Sequence, residues 1–411
     1  MTAISNSKSS AALEVDEPPF PSLADKPVPA RPLHSLQIGI GWFPEHPGGL
    51  ERFYFDLIHA LPSHNVTCRG LVIGSDSVAA TTNGRVCGFA PASATLLRRM
   101  KCARYAVQAS MTADKFDLVV SHFSIFTLPV LRRIRRLPLV AHFHGPVAAE
   151  ATMEGLGRLN ALGKYHVERL VYSRATRLIV LSAAFREILV RDYAIAFDRI
   201  CVIPGGIDAA RFNVPETRRH AREKLGWPTD RPIVLCVRRL IRRMGIEDLI
   251  DAALKLRISC PEVLILVAGR GAQAESLQKR IDEAALGRTV RLIGFAPDVD
   301  LPLAYRAADL TIVPSKALEG FGLVAAESLA AGTPALVTPI GGLPAAVRGL
   351  SDQLVLDDSS ALSLSTGIRR ALRSEMKLPT ADECRDYAKT NFDWSVIASK
   401  VRDVYQDAVG A

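Results

Sequence analysis

The sequence has no apolar run that approaches the roughly 20 residues needed to cross a bilayer. Its N-terminal stretch also lacks the basic start and apolar core of a secretory signal peptide. That stretch is rich in serine, proline and alanine, and we expect residues 1–34 to be a disordered leader. Together these absences favour a cytoplasmic protein.

Cysteine occurs seven times, but no cysteines have CxxC or zinc-site spacing. A scattered, odd set in a long chain indicates reduced thiols rather than a disulfide framework. No other cluster of metal-ligating residues stands out, so neither a metal ion nor a cofactor is predicted. A basic motif interleaved with aromatic residues is also absent, and we expect no nucleic-acid partner.

Positive charge is in excess and lies mainly in the N-terminal half. Residues 1–215 contain 24 lysines and arginines against 17 acidic residues. Much of the excess falls in two short stretches, LLRRMKCAR (96–104) and LRRIRRLP (131–138). Such stretches are typical of a solvated helix face, and they also fit a surface that meets an anionic membrane or a lipid-linked phosphate. Both interpretations stay open at this point.

Strands and helices alternate along most of the chain, as in the parallel sheets of α/β proteins. A first series of strands is predicted at residues 35–42, 66–74, 116–122, 137–145, 175–182 and 199–206. A polar, proline-containing stretch at 208–232 follows, and we interpret it as a connection between domains. A second series of strands is predicted at 232–240, 262–271, 289–295, 310–315 and within 333–338.

Two alternating series in 411 residues indicate two domains, because one hydrophobic core rarely grows to that size. We predict two Rossmann-like doubly wound domains that face a central cleft, at residues 35–210 and 211–391. The segment 392–410 is predicted to be an amphipathic helix. Ligands of such sheets bind in the crevice outside the carboxyl ends of the strands.

Glycines and arginines follow several of these strands. Gly48 and Gly49 open a helix in the first domain, and Gly269 does so with Gly271 in the second. Each pair is a weak signal of a nucleotide loop, and a tight turn is the alternative. Four arginines within six residues follow the first strand of the second domain: Arg238, Arg239, Arg242 and Arg243. Guanidinium groups match phosphate oxygens, so at least one is predicted to bind a phosphate.

Three histidines follow predicted strands, and two aspartates precede a predicted helix. His122, His142 and His144 fall just past strands of the first domain, where a histidine is either structural or part of a site. For His144, which is predicted to face the cleft, both interpretations stay open. Asp298 and Asp300 form an Asp-x-Asp pair, which we interpret as a helix N-cap rather than a metal site because a helix follows.

The stretch EGFGLVAAE (319–327) places two acids around a tight turn. It follows a strand, so Glu319 is predicted to face the cleft, and a helix is predicted to start near Gly322 or Leu323. Glu327 then lies in the first or second turn of that helix. The N-terminus of a helix presents free N–H groups and the positive end of its dipole to an anion. One long ligand can therefore contact both acids and the helix tip.

This stretch makes the resemblance to a family specific. The chain resembles glycosyltransferase family 4, the retaining nucleotide-sugar glycosyltransferases with the GT-B fold, whose signature is two glutamates separated by seven residues. Other matching segments are GGLERFYFDLIHAL, HFHGP, VIPGGIDAARF, GRGAQAESL, IGFAPDVDLPLAYRAADLTIVPS and the final helix around Trp394. The resemblance covers residues 36–407 and implies that the final helix completes the first domain.

The resemblance also implies a role for each matching residue. Glu319 would contact the donor sugar, Glu327 the ribose and Arg239 the pyrophosphate. His144 would lie near the reacting sugar. The remaining donor-binding positions would be backbone or flanking contacts, at Gly322, Leu323, Gly48, Gly49, Gly269 and Phe295. We expect no metal in this site.

The chain departs from the family pattern at two positions. Met244 stands where the family has the lysine that binds pyrophosphate, and a thioether does not neutralise phosphate. Arg238 or Arg243 is predicted to take its place, and the alternative is weaker stabilisation of the leaving group. Gly205 stands where the family often has asparagine.

These features predict a metal-independent, retaining glycosyltransferase of the hexosyltransferase type. Its expected substrates are a nucleotide-diphosphate sugar and a glycan or lipid-linked acceptor, in cell-surface or exopolysaccharide biosynthesis, with peripheral attachment to an anionic membrane. Two alternatives stay open, namely transfer to a small soluble acceptor and a non-catalytic nucleotide-sugar-binding protein. The sugar, base and acceptor are not named by the sequence.

Overall fold

The computed structural model describes residues 32–43, 45–153 and 157–411. Most of the predicted leader therefore lies outside the described residues. The first strand begins at Leu33, so residues 33 and 34, which the sequence analysis placed in the leader, belong to a sheet. Their inclusion follows from burial, because Leu33 is 5% exposed and packs in the core.

The first sheet has seven parallel strands in the order β3-β2-β1-β4-β5-β6-β7. The strands are β1 (Leu33–Gly41), β2 (Val66–Ile73), β3 (Val86–Ala90), β4 (Leu118–Ser121), β5 (Leu139–Phe143), β6 (Arg177–Val180) and β7 (Ile200–Val202). Alternate residues enter two separate cores, one on each face; Leu71 lies in one and Val72 in the other. The edge strand β3 was not predicted from the sequence.

The second sheet has five parallel strands in the order β10-β9-β8-β11-β12. They are β8 (Ile233–Val237), β9 (Leu264–Ala268), β10 (Val290–Gly294), β11 (Leu310–Val313) and β12 (Ala335–Val337). Strands β8, β9, β11 and β12 are buried along almost their whole length, as parallel strands covered on both faces are. The two strand orders are those of doubly wound sheets, so the predicted fold class is confirmed.

Helices connect these strands. In the first half of the chain they are α1 (Gly49–Ala60), α2 (Ser77–Thr81), α3 (Leu96–Ala113), α4 (Ser124–Thr127), α5 (Val147–Met153), α6 (Arg158–Arg174), α7 (Ala183–Tyr193), α8 (Ala209–Phe212) and α9 (Arg218–Leu225). In the second half they are α10 (Ile246–Ser259), α11 (Ala274–Glu283), α12 (Leu301–Ala307), α13 (Leu323–Ala330), α14 (Leu343–Val347), α15 (Ala361–Leu372), α16 (Ala381–Phe392) and α17 (Trp394–Gly410). Short 3₁₀ helices lie at Leu61–His64, Leu128–Val130, Phe197–Arg199, Arg242–Met244 and Asp352–Leu354.

The last helix, α17, packs against the first sheet although it follows the second in sequence. It contacts α1, β4, β5 and β6. Trp394 begins it and lies 5.3 Å from the ring of Phe53. Gly206 makes room for that indole, since a side-chain carbon at residue 206 would lie 2.5 Å from the ring. The chain thus crosses between the two sheets twice, once after β7 and once at Asp393.

Among the described residues, no helix combines the length and the apolar character that a membrane span requires.

Candidate active site

Both sheets reverse their strand order at a point where ligands of doubly wound folds bind. In the first sheet, β1 lies between β2 and β4; in the second, β8 lies between β9 and β11. Loops leave neighbouring strands there in opposite directions and open a crevice at their carboxyl ends. The loops after β1, β4, β5, β8 and β11 carry most of the predicted site residues.

Glu319 forms the charged centre of the loop after β11. Arg238 Nη2, from the loop after β8, lies 2.9 Å from Glu319 Oε2, and both side chains are largely buried. The Ser315 hydroxyl donates a hydrogen bond of 3.0 Å to the same oxygen. The loop is held tightly, because Gly342 N–H donates to the Glu319 carbonyl at 2.9 Å. Glu319 is therefore fixed in position and already paired with a cation.

Of the three remaining arginines after β8, Arg239 and Arg242 are exposed and Arg243 is buried. Arg243 is buried; its Nη2 donates to Glu150 Oε1 at 3.1 Å and its Nη1 donates to the Leu318 carbonyl at 3.0 Å. Arg239 is exposed and has no ion pair with any residue in the described ranges. Its guanidinium is thus available to an anionic ligand, whereas that of Arg243 is engaged.

Met244, at the lysine position of the family, is 4% exposed and belongs to the core of the second domain. Its sulfur lies 3.9 Å from the Ser315 hydroxyl, the group that also binds Glu319. The cation nearest to Glu319 is supplied by Arg238 instead. Arg238 and Arg243, the two predicted replacements for the lysine, are each paired with a carboxylate, so the replacement stays a prediction.

Helix α13 begins at Leu323, as the sequence predicted, with Gly322 at its N-cap position. Gly322 has φ +87°, a left-handed conformation that favours glycine, and a side-chain carbon there would collide with Leu343. Gly205 serves the same loop, since a side-chain carbon at 205 would lie 2.6 Å from Leu323. A larger residue at position 205 would therefore require the Leu323 side chain to move.

Glu327 lies in the second turn of α13 and receives a hydrogen bond of 2.9 Å from the Tyr305 hydroxyl. Burial raises the pKa of Glu327 above its ordinary value, and the Tyr305 hydrogen bond opposes that shift. A buried carboxylate with one neutral donor still has acceptor capacity, so Glu327 can bind further hydroxyl groups.

The other predicted donor-binding residues follow the carboxyl ends of strands: Gly48 and Gly49 come after β1, Gly269 after β9 and Phe295 after β10. Gly269 has φ +154°, and a side-chain carbon there would collide with the Arg238 carbonyl, so glycine lets the loops after β8 and β9 touch. Phe295 is 45% exposed, with the Arg270 guanidinium 5.0 Å from its ring centre. Gly48 is the N-cap of α1, and a side-chain carbon at Gly49 would have no neighbour within 4 Å.

His144 approaches the Glu319 loop from the first domain. Its neighbour Gly145 lies beside Phe185, and Gly320 packs against the same ring from the second domain. Glu150, which binds Arg243, also lies close to Gly145. The structure thus brings the loops that carry His144, Arg243 and Glu319 together.

His122, His142 and His144 form a stacked group that invites comparison with a metal site. Their ring nitrogens lie within 4.8 Å of one another. The ring planes, however, differ by only 12° to 22°, with centroids 4.3 to 5.9 Å apart. An imidazole binds a metal along its own ring plane, and three nearly parallel rings do not aim their lone pairs at one point. These residues therefore do not fit a metal ion.

Only one of the two aspartates has its predicted place. Asp300 occupies the N-cap position of α12, as predicted, although its side chain accepts no capping hydrogen bond. Asp298 instead pairs with Arg52 of α1 and with Arg211, whose Nη2 lies 2.7 Å from its carboxylate. Two charged donors therefore hold this carboxylate, which is 33% exposed.

Several residues of this region were missed from the sequence. Ser315, Tyr305 and Glu150 contact Glu319, Glu327 and Arg243, respectively. Ser315 ends the predicted strand 310–315 and could have been found as a polar residue at a carboxyl strand end. Tyr305 and Glu150 carry no such signal, because their contacts depend on how distant helices pack.

Comparisons with known proteins give the family and the fold of this chain. Residues 217–391 match the family described as "Glycosyl transferases group 1", and residues 47–211 match "Glycosyltransferase Family 4". A D-inositol 3-phosphate glycosyltransferase of Catenulispora acidiphila is 29% identical over 68% of this chain and 69% of its own length. A glycogen synthase of Mycobacterium tuberculosis is 31% identical over 70% of this chain and 67% of its own length. The structure of Anabaena HepE in complex with UDP-glucose is similar with a TM-score of 0.72 at 21% identity, covering 91% of this chain and 100% of that one.

Proposed function

Because the chain belongs to the group 1 and family 4 glycosyltransferases and has their GT-B fold, we propose a specific reaction for this hexosyltransferase-type enzyme. It transfers a sugar from a nucleotide-diphosphate sugar to a glycan or lipid-linked acceptor, with retention of anomeric configuration and without a metal ion. The proposed context is cell-surface or exported polysaccharide synthesis.

The observation that carries this proposal is the pairing of Arg238 with Glu319 beside the N-terminus of α13. A diphosphate placed at that helix end would meet the free N–H groups of Gly322 and Leu323 and the exposed Arg239. Such fixed positive groups stabilise the charge that develops on a leaving diphosphate, which is the task a metal performs in other transferases.

The remaining residues are proposed to hold the rest of the donor. Glu319 contacts the sugar hydroxyls, Glu327 the ribose, and His144 the sugar from the opposite side. Glu319 is assigned to positioning rather than to nucleophilic attack, since Arg238 and Ser315 already occupy its Oε2. Phe295 is proposed to flank the base. The backbone near Gly48, Gly49 and Gly269 is proposed to contact the phosphates.

The acceptor is proposed to be held at a membrane, because one surface of the first domain is both basic and apolar. Helix α3 contains no acidic residue, and Arg98, Lys101 and Arg104 are exposed on it. Leu97 and Tyr105 on the same outward side are 75% and 69% exposed. The exposed arginines of residues 132–136 follow the 3₁₀ helix that α3 contacts. Basic residues attract anionic headgroups while leucine and tyrosine enter the interface.

A second candidate is transfer to a small soluble acceptor, which the relative named D-inositol 3-phosphate glycosyltransferase supports. The two candidates predict different behaviour towards membranes, since an electrostatic contact weakens as salt rises.

The reaction is tested by incubating the purified enzyme with UDP-, GDP- and ADP-sugars and isolated membrane lipid, in EDTA. We expect transfer from one nucleotide class into the lipid fraction, and a product whose anomeric configuration by NMR equals that of the donor. An inverted product, or transfer that needs Mg²⁺, would contradict the proposal.

The acceptor surface is tested by flotation with vesicles of phosphatidylglycerol and phosphatidylcholine at low and high salt. We expect binding at low salt that falls at high salt and is lost in Arg98→Glu/Lys101→Glu/Arg104→Glu. The control, Lys255→Glu/Arg257→Glu, reverses exposed charges on α10 and should float like the wild type. Equal flotation of both variants would favour the small-acceptor candidate.

A further inference from the structure

A buried hydrogen-bond chain runs from the first sheet to His144. Gln37 on β1 lies 2.9 Å, through Oε1, from His122 Nε2, and His122 Nδ1 lies 3.3 Å from His144 Nε2. Gln37 and His122 are at most 2% exposed, whereas His144 is partly exposed. The direction of each hydrogen bond in this chain decides which nitrogen of His144 carries a proton.

The direction is set at the inner end by Ser35. Its hydroxyl lies 3.2 Å from the Thr67 carbonyl and 3.5 Å from the Cys68 sulfur, and both are acceptors for it. Its single hydrogen is therefore used there, and its oxygen accepts from Gln37 Nε2 at 3.0 Å. The amide nitrogen of Gln37 faces Ser35, so the amide oxygen faces His122.

An amide oxygen only accepts, so His122 carries its proton on Nε2. Burial, followed by the neighbouring His142 and His144, lowers the pKa of His122 well below its ordinary value, and the ring is neutral. A neutral imidazole with a proton on Nε2 has a lone pair on Nδ1. His122 Nδ1 therefore accepts a hydrogen bond, and His144 Nε2 donates it.

The tautomer of His144 follows from that of His122. Burial lowers the pKa of His144 to about 3, so it too is neutral. With its proton on Nε2, its Nδ1 holds a lone pair, and no residue of the described ranges donates a hydrogen bond to that atom. The only polar face that His144 offers to a ligand is an acceptor.

We propose that Gln37 and His122 are positioning residues that hold His144 in its Nε2–H tautomer, so that His144 Nδ1 accepts a hydrogen bond from a ligand hydroxyl. That the hydroxyl belongs to the donor sugar rests on the proposed function; the tautomer does not. His144 in this state neither donates a proton to a leaving group nor neutralises a phosphate.

The tautomer is tested on the protein without substrate, by two-dimensional NMR of ¹⁵N-histidine-labelled protein between pH 5 and 8, with His144→Gln used to assign the signals. We expect His144 with Nδ1 unprotonated and Nε2 protonated across this range. A protonated Nδ1, or an imidazolium that forms near pH 6, would overturn the proposal. Because no turnover is measured, this outcome is independent of whether the proposed reaction is found.

The relay itself is tested with Gln37→Met, which keeps the size of the side chain and removes the acceptor. We expect the fixed tautomer to be replaced by a mixture with a substantial Nδ1–H population. Tyr405→Phe is the control, since that buried hydroxyl contacts His142 and Gln37 Nε2 but lies outside the His122–His144 link. A pure Nε2–H tautomer in Gln37→Met would show that Gln37 does not set it.

A kinetic readout follows from the same pair of variants. A lone pair on Nδ1 distinguishes a hydroxyl, which donates, from a fluorine, which does not. For one monofluorinated donor of a panel, we expect the wild type to have a KM at least tenfold higher than for the unmodified donor. In Gln37→Met we expect the ratio of these two KM values to fall towards one. Tyr405→Phe should keep the wild-type ratio, and an unchanged ratio in Gln37→Met would contradict the relay.

Discussion

At the scale of single residues, the site depends on acids that are held by specific partners. Glu319 is paired with Arg238, and Glu327 is hydrogen-bonded to Tyr305 in a buried position. The two acids therefore differ in their effect on the stability of the folded protein. Glu319 is stabilised by a charge, whereas Glu327 is buried with only a neutral donor, the Tyr305 hydroxyl.

The first prediction concerns Glu327→Gln. Burial raises the folded-state pKa of Glu327 above its ordinary value of 4.5, so its contribution to stability falls as pH rises from that value through the folded pKa. The amide still accepts from Tyr305 but carries no charge. We expect the variant to melt higher than the wild type at pH 8 and equally at pH 4, while its donor affinity drops about tenfold or more, which is the loss of one charged hydrogen bond.

Calorimetric melting at the two pH values and titration with donor measure both effects. Glu262→Gln is the matched control, because that exposed acid precedes β9 at the opposite end of the strand. A Glu327→Gln variant that melts lower than the wild type at pH 8 would contradict the assignment.

The two acids of the candidate site could be predicted from the sequence, but the residues that contact them could not. Glu319 and Glu327 are recognisable because their spacing and the glycines between them are local. Arg238 was one of four equivalent arginines, and only the fold shows that it meets Glu319, while Arg243 meets Glu150. Gln37 gave no signal at all, since its contact with His122 joins residues 85 positions apart.

At the scale of elements, strand ends and helix starts create the site. Most strands and α13 were predictable, because buried parallel strands are short apolar runs and α13 follows a glycine-marked turn. Strand β3 was missed because VCGFA lies at the sheet edge, is only five residues long and contains a glycine.

The second prediction concerns the start of α13. Gly322→Ala forces a side chain into a left-handed conformation and towards Leu343. We expect a loss of about 1–2 kcal/mol in unfolding free energy and weaker donor binding, because the helix N-terminus shifts. Gly163→Ala, in the middle of α6 with open space around it, should instead stabilise by about 0.5–1 kcal/mol. Urea unfolding of both variants measures these changes. Equal changes in unfolding free energy would contradict a strained helix start at Gly322.

The third prediction concerns the histidines at the ends of β4 and β5. Burial lowers the pKa of His122, His142 and His144 below the ordinary value of 6.5. The unfolded chain takes up these protons below that pH and the folded chain does not, so stability falls as pH drops. Three protons correspond to a slope of up to about 4 kcal/mol per pH unit.

The slope is measured by urea unfolding between pH 7.5 and 5, above the range in which most carboxyls titrate. His142→Gln keeps a polar group near Tyr405 and should reduce the slope by about a third. A flat profile in the wild type over this range would show that the histidines are accessible to protons in the folded state.

At the scale of the whole molecule, charged contacts join the domain of the first sheet to the domain of the second. Asp298, in the loop after β10, binds Arg52 of α1, and Arg243 after β8 binds Glu150 of α5. The chain crossing at Asp393 adds a covalent link. These contacts join elements of the first domain to loops of the second.

The fourth prediction is that Asp298→Asn loosens this arrangement. Two arginines lose a shared carboxylate that is 33% exposed, so we expect a loss of about 1–2 kcal/mol, reduced by solvent screening. We also expect a higher KM for the donor and a larger radius of gyration by small-angle scattering. Asp352→Asn, which breaks an ion pair of an 84% exposed aspartate, should change neither. A variant as compact and stable as the wild type would contradict a role for Asp298 in joining the domains.

The most direct test of the central claim is calorimetric titration of the enzyme with UDP-, GDP- and ADP-sugars in EDTA, for the wild type, Arg238→Met and the exposed-site control Arg257→Met. We predict that one nucleotide class binds the wild type and the control alike, and that Arg238→Met loses at least tenfold in affinity. No binding by any donor, or equal binding by all three proteins, would contradict a metal-independent donor site built on Arg238 and Glu319.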